Sequence, residues 1–276
     1  MKRYVIFLTL VFFIFDSEAR RAQAPSPHFF VVIPTYRNKD YCIQNITKLV
    51  EQTYKKWQAL VIVDGSPEED DGTYEILEKY IAVHDLSSTI FLMRNSERRG
   101  ALDNIYTAIH DYAEDDWVVV LYDGDDYFKT PKALDRISCE YIFNNAWFTY
   151  GQYVNYPKGD LGHCHAFPPM VIKNNNFRHY PWVASHPRTF YAWLFKKIDK
   201  EDLMYQNKFF DVAWDVAFMP MLEMASYGHI RFISDILYVY RHHARNDYKL
   251  HLPRVTMLEK NIRARKKYEP LRGRNK

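Results

Sequence analysis

Three carboxylates stand at the end of an apolar run in the middle of the sequence. Residues 117–121 read WVVVL, which is the composition of a buried strand, and Asp123, Asp125 and Asp126 follow directly. In extended backbone, residues i and i+2 point to the same side, so Asp123 and Asp125 can aim at one point, while Gly124 leaves the backbone between them unobstructed. Oxygen ligands of this kind suit Mg²⁺ or Mn²⁺ carrying phosphate oxygens and water. The alternative is an Asp-Gly turn, which is common after strands.

A second acidic group lies in the carboxyl half, in the segment FFDVAWDVAFMPMLEMA. Asp211 and Asp215 are four residues apart and Glu223 follows two turns later, so a helix would place all three on roughly one face. Carboxylates among apolar residues are costly without a task or a partner, and such surroundings raise their basicity. The segment therefore offers a general base for an attacking hydroxyl. The alternative is a helix N-cap, or a salt bridge to Arg188 or Lys196.

Histidines supply further candidate ligands. The segment ILYVYRHHARND predicts a strand followed by His242, His243 and Arg245. Imidazole is a common ligand of Mn²⁺, so His243 is a candidate third ligand, and Arg245 could meet a diphosphate. The segment GHCHAF at residues 162–167 also has metal-binding residue types, but no second Cys/His pair lies at zinc spacing, so a loop with ordinary histidines is the preferred interpretation.

The elements that must position these residues alternate between apolar strands and helices. Strands are predicted over residues 28–34, 57–65, 88–95 and 116–124, and helices over residues 40–52, 72–84 and 100–111. Strands that are apolar throughout and alternate with helices predict a parallel sheet covered on both faces. Ligands of such sheets bind at the carboxyl ends of the strands. After Pro131 a helix to about residue 143 and a strand near residues 147–154 precede a region rich in Pro, Asn and Gly.

The composition is that of a globular protein. The 276 residues, 47% of them hydrophobic, suffice for one large domain with a packed core. The 37 basic and 34 acidic side chains leave a net charge of only +3, so no overall cationic field indicates a nucleic-acid partner. Residues 251–276 form a basic C-terminal tail, which we expect to be a solvated surface segment.

The N-terminus has the pattern of a targeting segment. Lys2 and Arg3 precede twelve apolar or uncharged residues, 4–15, and small residues follow before residue 25. This pattern predicts that residues 1–24 are a signal peptide. A membrane anchor is the second interpretation, because a bilayer span needs about 20 apolar residues. Either one predicts a secretory or membrane-associated protein.

The residues at the strand ends resemble, as a series, those of a known family. They are Pro34, Thr35 and Tyr36 after the first strand, Asp64 after the second, and Asn95, Arg99, Gly100 and Asn104 after the third. Together with the Asp-x-Asp pattern, their order resembles glycosyltransferase family 2, whose members have the GT-A fold and use nucleotide sugars. The resemblance covers roughly residues 31–240. It implies one α/β domain over residues 28–250, with a Rossmann-like nucleotide half, a mixed central sheet and helices on both faces.

The resemblance also implies a role for each donor-side residue. The three residues that end the first strand would line the nucleotide pocket, and Asp64 would hydrogen-bond the base, usually uracil. Asp123 would hold the ribose and the metal, and Asp125 the metal. Asn104 fits the donor-binding pattern, whereas Arg99 either contacts phosphate or is a surface charge.

The implied reaction transfers a sugar from a nucleoside diphosphate donor, in most relatives a UDP-sugar, to a hydroxyl of a glycan, lipid or protein. Asp215 matches the acidic residue that serves as the family's base, with Asp211 second. Mn²⁺ or Mg²⁺ would neutralise the leaving diphosphate, and the anomeric carbon would be inverted. Two alternatives remain at this stage: an Asp-x-Asp phosphatase of the haloacid dehalogenase type, and a module that binds nucleotide or carbohydrate without turnover.

Overall fold

The computed structural model describes residues 25–243 and 251–274, and its centre is a mixed sheet of eight strands. The strands of this sheet are β1 (Phe29–Thr35), β2 (Trp57–Val63), β3 (Ile90–Arg94), β4 (Val118–Leu121), β5 (Tyr127–Phe128), β6 (Phe148–Tyr156), β7 (Arg188–Tyr191) and β10 (Ile230–Arg241). A separate hairpin consists of β8 (Met204–Tyr205) and β9 (Lys208–Phe209). The helices are α1 (Cys42–Val50), α2 (Thr73–Val83), α3 (Ala101–Tyr112), α4 (Ala133–Asn144), α5 (Pro169–Lys173), α6 (Ala192–Phe195), α7 (Met219–Met224) and α8 (Leu252–Ala264).

The strand order explains how the two halves of the molecule meet. The order is β3-β2-β1-β4-β7-β6-β10-β5, and the first four strands are mutually parallel, as the sequence predicts. The strand β7 runs antiparallel to both β4 and β6. This reversal places the beginning of β7 beside the end of β4, and Arg188 pairs with Leu121. Residues that precede β7 in the chain therefore lie near the acidic loop that follows β4.

Alternation along the parallel strands divides the core between the two sheet faces. Phe29, Val31 and Ile33 pack on one face and Phe30 and Val32 on the other, and each is at most 3% exposed. Burial on both faces is the reason why these strands are apolar at every position. Each such side chain contributes about 1.5–3 kcal/mol when it is removed from water.

The helices that cover the sheet follow the predicted periodicity. In α1 the buried positions include Cys42, Ile46 and Leu49, which recur at helical spacing. In α3 they include Leu102 and Ile105. Both helices lie within two residues of the predicted bounds, because a single apolar stripe determines them.

The predicted helix that would carry Asp211, Asp215 and Glu223 on one face is not observed. Residues 211–215 form bends, Val216–Phe218 is a 3-10 turn, and only Glu223 lies on the short helix α7. Ala213 has a φ of 54°, in the left-handed region, which a continuous right-handed helix does not allow. Pro220 lies in the first turn of α7, where it lacks an N–H that a longer helix would need.

The basic C-terminal stretch packs on the domain in the part that the structure describes. In α8, Leu258 and Ile262 are 0% and 1% exposed and belong to one of the two core clusters. The segment is therefore solvated on only one side, in contrast to the expectation from its charge. In residues 25–243 and 251–274 no helix is long and apolar enough to cross a bilayer. The predicted signal peptide or anchor, residues 1–24, lies outside the described residues.

A buried ion pair joins this C-terminal part to the core. Arg178 Nε and Nη2 donate to the two carboxylate oxygens of Glu223 at 2.6 and 2.9 Å, and the side chains are 2% and 0% exposed. Arg178 Nη1 also donates to the carbonyl oxygen of Ile262, and the backbone N–H of Tyr268 donates to Glu223. The pair thus connects a 3-10 turn, α7 and the segment after α8.

We expect Glu223→Gln to lower the free energy of unfolding by about 3–5 kcal/mol, because it leaves the Arg178 guanidinium buried without its counter-charge. Urea unfolding measures this loss. The matched control is Glu51→Gln, whose pair with Lys48 has side chains 44% and 38% exposed and should cost less than about 1 kcal/mol. Equal losses in the two variants would show that the buried pair contributes no more than a surface pair.

Candidate active site

The acidic loop after β4 lies against the end of β1. A Cβ built on Gly124 would be 2.5 Å from Thr35 Oγ1 and 2.6 Å from Thr35 Cβ, which is closer than real Cβ contacts. Thr35 Oγ1 is held by Asn38 Nδ2 at 3.0 Å, so it cannot simply turn away. Only glycine at position 124 allows the two strand ends to meet in this way.

Two side chains from other elements hold the backbone of this loop. Asn45 of α1 donates from Nδ2 to the carbonyl oxygens of Asp123 and Asp126, both at 2.9 Å. Tyr238 of β10 accepts the backbone N–H of Asp123 on its hydroxyl oxygen at 3.1 Å. The carboxylates are therefore carried by a loop whose backbone is fixed at both ends.

Asp123, Asp126 and His186 form a cluster that fits a divalent cation. Among the residues that the structure describes, each of the three offers a ligand atom within 4.8 Å of the others, and Asp123 Oδ2 lies 3.8 Å from His186 Nε2. Asp126 is 1% exposed; its Oδ1 accepts the Arg241 backbone N–H at 2.7 Å, whereas Oδ2 is buried with no hydrogen-bond partner in the described part of the chain. A buried carboxylate oxygen without a donor is costly unless a cation binds it.

The electrostatics of the cluster also favour a cation. Burial raises the pKa of Asp123 to about 6, with Asp125 and Asp215 acting in the same direction and Arg188 opposing them. The pKa of Asp126 is raised well above its usual range by burial and by the charges of Asp125 and Asp123. These carboxyl groups resist ionising together, and a divalent ion would relieve that repulsion.

His186 has the protonation state that a ligand needs. Its ring stacks between Tyr238, at 4.9 Å between centroids, and Tyr240, at 5.4 Å. Burial lowers its pKa well below the usual value, and the neighbouring Arg188 and His163 lower it further. The imidazole is therefore neutral, which is the form that binds metals.

The predicted ligands Asp125 and His243 contact each other. Asp125 Oδ2 lies 2.7 Å from His243 Nε2, and the His243 ring stacks on Tyr41 with centroids 5.3 Å apart. Arg241 Nε donates to the carbonyl oxygen of Asp125 at 2.9 Å. The pair adjoins the three-residue cluster through the acidic loop itself. The predicted diphosphate contact, Arg245, lies outside the described residues.

The predicted donor-side residues meet around Asp64. Its Oδ1 accepts from Asn95 Nδ2 at 2.9 Å and from the Arg99 backbone N–H at 2.8 Å, and its Oδ2 accepts from the Gly100 N–H at 2.8 Å. Asn95 Nδ2 also donates to Asn104 Oδ1 at 2.7 Å. A carboxylate has about four acceptor sites, so roughly one remains for a ligand. Asp64 thus anchors the turn before α3, in addition to any contact that it makes with the base of a nucleotide.

The side chain of Arg99 lies along α3. It donates from Nε and Nη2 to the Asp103 carboxylate at 3.1 and 2.6 Å, and from Nη2 to Thr107 at 3.0 Å. This placement corresponds to the surface-charge alternative for Arg99. Its neighbour Arg98 instead places its guanidinium 4.2 Å from the ring centroid of Tyr36, one of the predicted pocket residues at the end of β1.

Asp215, the predicted base, is held by several donors. Its Oδ2 accepts from Trp182 Nε1 at 2.8 Å and from Arg188 Nη1 at 3.2 Å, and its Oδ1 accepts from the Val216 N–H at 3.1 Å. The side chain is 28% exposed, so solvent or a substrate can reach it. The salt bridge to Arg188 that the sequence offered as an alternative is present. The charge of Asp215 raises the pKa of Asp123, so the two carboxylates are close enough to interact electrostatically.

Asp211 and Glu223 are placed elsewhere. Asp211 is ion-paired with Arg254 of α8 at 2.8 Å, and the two side chains are 54% and 48% exposed. Glu223 is occupied in the buried pair with Arg178. Of the three acidic residues in this segment, Asp215 alone contacts Trp182 and Arg188.

Sequence patterns do not identify Trp182 and His186 of this site, and they offer Arg188 only as a salt-bridge partner of the acidic segment. They lie in or next to a region without clear periodicity, and β7 becomes recognisable only when its pairing with β4 is known. The one available signal is the presence of His186 and Arg188 inside the otherwise apolar segment PWVASHPRTFYAW. Charged and titratable residues are rarely buried without a function or a partner.

Comparisons with known proteins place this geometry in a family. Residues 30–203 match the family model "Glycosyl transferase family 2", and no curated protein sequence matches the chain. Among solved structures, S. aureus TarS (residues 1–349) in complex with UDP-GlcNAc is 15% identical with a TM-score of 0.57, and the alignment covers 80% of this chain and 60% of that chain. The mannosyltransferase PcManGT from Pyrobaculum calidifontis, in complex with GDP-Man and Mn²⁺, is 16% identical with a TM-score of 0.59, covering 94% and 72%.

These structural similarities confirm the predicted GT-A fold. The chain spans only about 60% of the length of the TarS chain. The family match extends over more than half of the sequence and includes the strand ends, the acidic loop and β7. The chain therefore belongs to glycosyltransferase family 2.

Proposed function

We propose that the protein is a metal-dependent glycosyltransferase that moves a sugar from a UDP-sugar to a hydroxyl acceptor with inversion at the anomeric carbon. The observation that carries the proposal is the meeting of two acidic groups around Arg188. This residue is ion-paired with Asp215 and is close enough to Asp123 to lower its pKa. A cation site and a carboxylate base near one another are what a transfer reaction with a diphosphate leaving group requires.

The donor nucleotide is assigned to the ends of β1 and β2. Tyr36, with Arg98 over its ring, offers an aromatic face, and Asp64 retains about one acceptor site for the imide N–H of uracil. The similar structures contain two different nucleotide sugars, UDP-GlcNAc in TarS and GDP-Man in PcManGT. About one acceptor site matches the single imide N–H of uracil, whereas guanine presents two N–H donors on one edge, and this difference supports uridine for this chain.

The metal is assigned to the acidic loop. Asp123, Asp126 and His186 would hold it, with Asp125 and His243 beside them, and the orphaned Asp126 oxygen supports this assignment. Oxygen-rich ligands with one imidazole suit Mn²⁺ or Mg²⁺, and the PcManGT structure contains Mn²⁺. When bound, such an ion would neutralise the negative charge of the departing diphosphate.

The base is assigned to Asp215. The oxygen Oδ1, whose one hydrogen bond within the described part of the chain comes from the N–H of Val216, takes the proton of the acceptor hydroxyl. The proposed acceptor is a glycan, a lipid or a protein. The protein is proposed to enter the secretory pathway or to attach to a membrane, and this proposal rests on the N-terminal sequence pattern alone. Family membership removes support from the phosphatase alternative.

Incubation with a panel of UDP- and GDP-sugars in the presence of Mn²⁺ tests the function directly. We expect release of the nucleoside diphosphate, with transfer of the sugar to an acceptor or to water. Hydrolysis of a phosphate ester without sugar transfer would instead identify a phosphatase. Binding of a donor with no turnover would identify a binding module.

The metal site has its own test. We expect EDTA and Asp123→Ala each to abolish UDP binding, measured by calorimetry with Mn²⁺, because both remove the cation proposed to hold the diphosphate. The matched control is Asp235→Ala, whose carboxylate is 53% exposed and paired with Arg136; its UDP affinity should be unchanged. Full UDP affinity in EDTA would refute a metal role for the acidic loop.

The base-recognition role of Asp64 is tested by comparing two ligands. Asp64→Ala should weaken UDP by about 10-fold or more, because a hydrogen bond to a charged group contributes about 1.5–3 kcal/mol. Inorganic diphosphate with Mn²⁺ should bind within a few-fold of its affinity for the wild type. An equal loss for both ligands would mean that Asp64 only anchors the turn before α3.

Chemistry and binding should separate at Asp215. Asp215→Asn preserves shape and removes basicity, so transfer should fall by about 10² to 10⁴ while UDP affinity stays within a few-fold. Asp211→Asn should have little effect, since its carboxylate is a surface partner of Arg254. Steady-state kinetics and calorimetry measure the two quantities. The opposite ranking of the two variants would move the base to Asp211.

A further inference from the structure

The hydrogen bonds of Asp215 leave one acceptor position open. Trp182 Nε1 and Arg188 Nη1 both donate to Oδ2, at 2.8 and 3.2 Å, and the Val216 N–H donates to Oδ1 at 3.1 Å. Since a carboxylate has about four acceptor sites, both positions on Oδ2 are filled and one remains on Oδ1. The carboxylate thus cannot rotate without losing three hydrogen bonds.

We propose that Trp182 and Arg188 are positioning residues, which clamp Oδ2 of Asp215 so that only Oδ1 can take a proton from the acceptor hydroxyl. This inference rests on the proposed function of Asp215 as the base and extends it to residues outside the acidic pattern. Neither residue needs to touch the substrate, because each acts through the orientation of the Asp215 carboxylate.

The surroundings of Arg188 make the clamp rigid. The guanidinium is 2% exposed and lies 5.0 Å from the ring centroid of Trp214, the residue next to Asp215 in the chain. Its backbone is fixed in β7, where it pairs with Leu121 of β4. A buried guanidinium must keep its counter-charge close, so Asp215 and Arg188 restrain one another.

Trp182 supplies the neutral half of the clamp. It precedes β7 by a short loop, is half-buried and packs against the core cluster that contains Phe190 and Phe218. An indole N–H is a donor only, so it serves Asp215 in its ionised, acceptor-only state. The two donors come from a fixed ring and a fixed strand, and such preorganisation lowers the cost of reaching the reactive geometry.

The decisive experiment combines Trp182→Phe, which keeps the ring and removes the N–H, with Asp215→Asn. We expect Trp182→Phe to lower kcat by about 10-fold, with UDP affinity unchanged, because a misaligned base loses rate rather than donor binding. In the Asp215→Asn background the same change should have no further effect, since its target is absent. A full additional loss in that background would overturn the proposal by showing that Trp182 acts on the substrate directly.

Arg188 is tested in the same way with Arg188→Lys, which keeps the charge and loses the planar fork. Arg188→Lys should lower kcat more than it changes the KM for the donor. In the Asp215→Asn background it should cause no further loss of kcat. The control is Trp193→Phe, a tryptophan 5% exposed that packs on Trp147 instead; its kcat should stay within about twofold. Unchanged kcat in both Trp182→Phe and Arg188→Lys would overturn the clamp.

A spectroscopic readout separates this inference from the proposed function. In ¹⁵N-tryptophan-labelled protein, the indole N–H signal that disappears in Trp182→Phe is that of Trp182. We expect Asp215→Ala to shift this signal upfield, because the N–H loses a charged acceptor. An unmoved signal would overturn the clamp even if the enzyme transfers sugar, whereas a shifted signal in a protein that transfers nothing would support the clamp and refute the function.

Discussion

The concentration of carboxylates at the end of β4 is the constraint on which the rest of the structure depends. Asp123 and Asp126 are gathered with Asp125 in one loop, and burial raises the pKa of both Asp123 and Asp126. Negative charge at this density is stable only when donors and cations surround it. The backbone N–H of Arg241 and the buried guanidinium of Arg188 meet part of that demand. One oxygen of Asp126 has no hydrogen-bond donor among the described residues. This unsatisfied oxygen explains why the site is suited to a divalent ion.

The reversal of chain direction at β7 brings residues from the carboxyl half of the chain to the edge at which the four parallel strands end. Four parallel strands bring their carboxyl ends to one edge, and an all-parallel continuation would have placed the next strand's carboxyl end there as well. The antiparallel β7 instead delivers its first residue, Arg188, and the preceding His186 to the same edge. The start of this strand and the residues before it thus contribute His186 to the candidate cation cluster and Arg188 to the candidate base. The two halves of the proposed chemistry are coupled through three consecutive residues of the backbone.

Much of the fold is readable from the sequence because the parallel half rests on local patterns. Continuous apolar runs determine β1, β2 and β4, and helical spacing determines α1 and α3. The acidic loop is readable only in part. The apolar run predicts that carboxylates follow β4, but residues 123–126 form the alternative turn, in which the Asp126 N–H donates to the Asp123 carbonyl oxygen at 3.1 Å, so extended i and i+2 alternation does not place Asp123 and Asp125. By contrast, β7 is defined by a partner far away in the chain, and nothing local in residues 182–188 indicates it. The helix expected around Asp215 fails because a left-handed Ala213 and Pro220 interrupt a segment whose acidic spacing alone is helical.

The contact between Gly124 and Thr35 has a consequence for how this site can diverge. A Cβ at position 124 would lie 2.5 Å from Thr35 Oγ1, so side chains at positions 124 and 35 would compete for the same space. The two positions are 89 residues apart in the sequence, yet they cannot drift independently. A side chain at position 124 therefore requires that a smaller residue first replaces Thr35, so the geometry determines the order of the two substitutions. The ends of β1 and β4 are therefore sterically coupled.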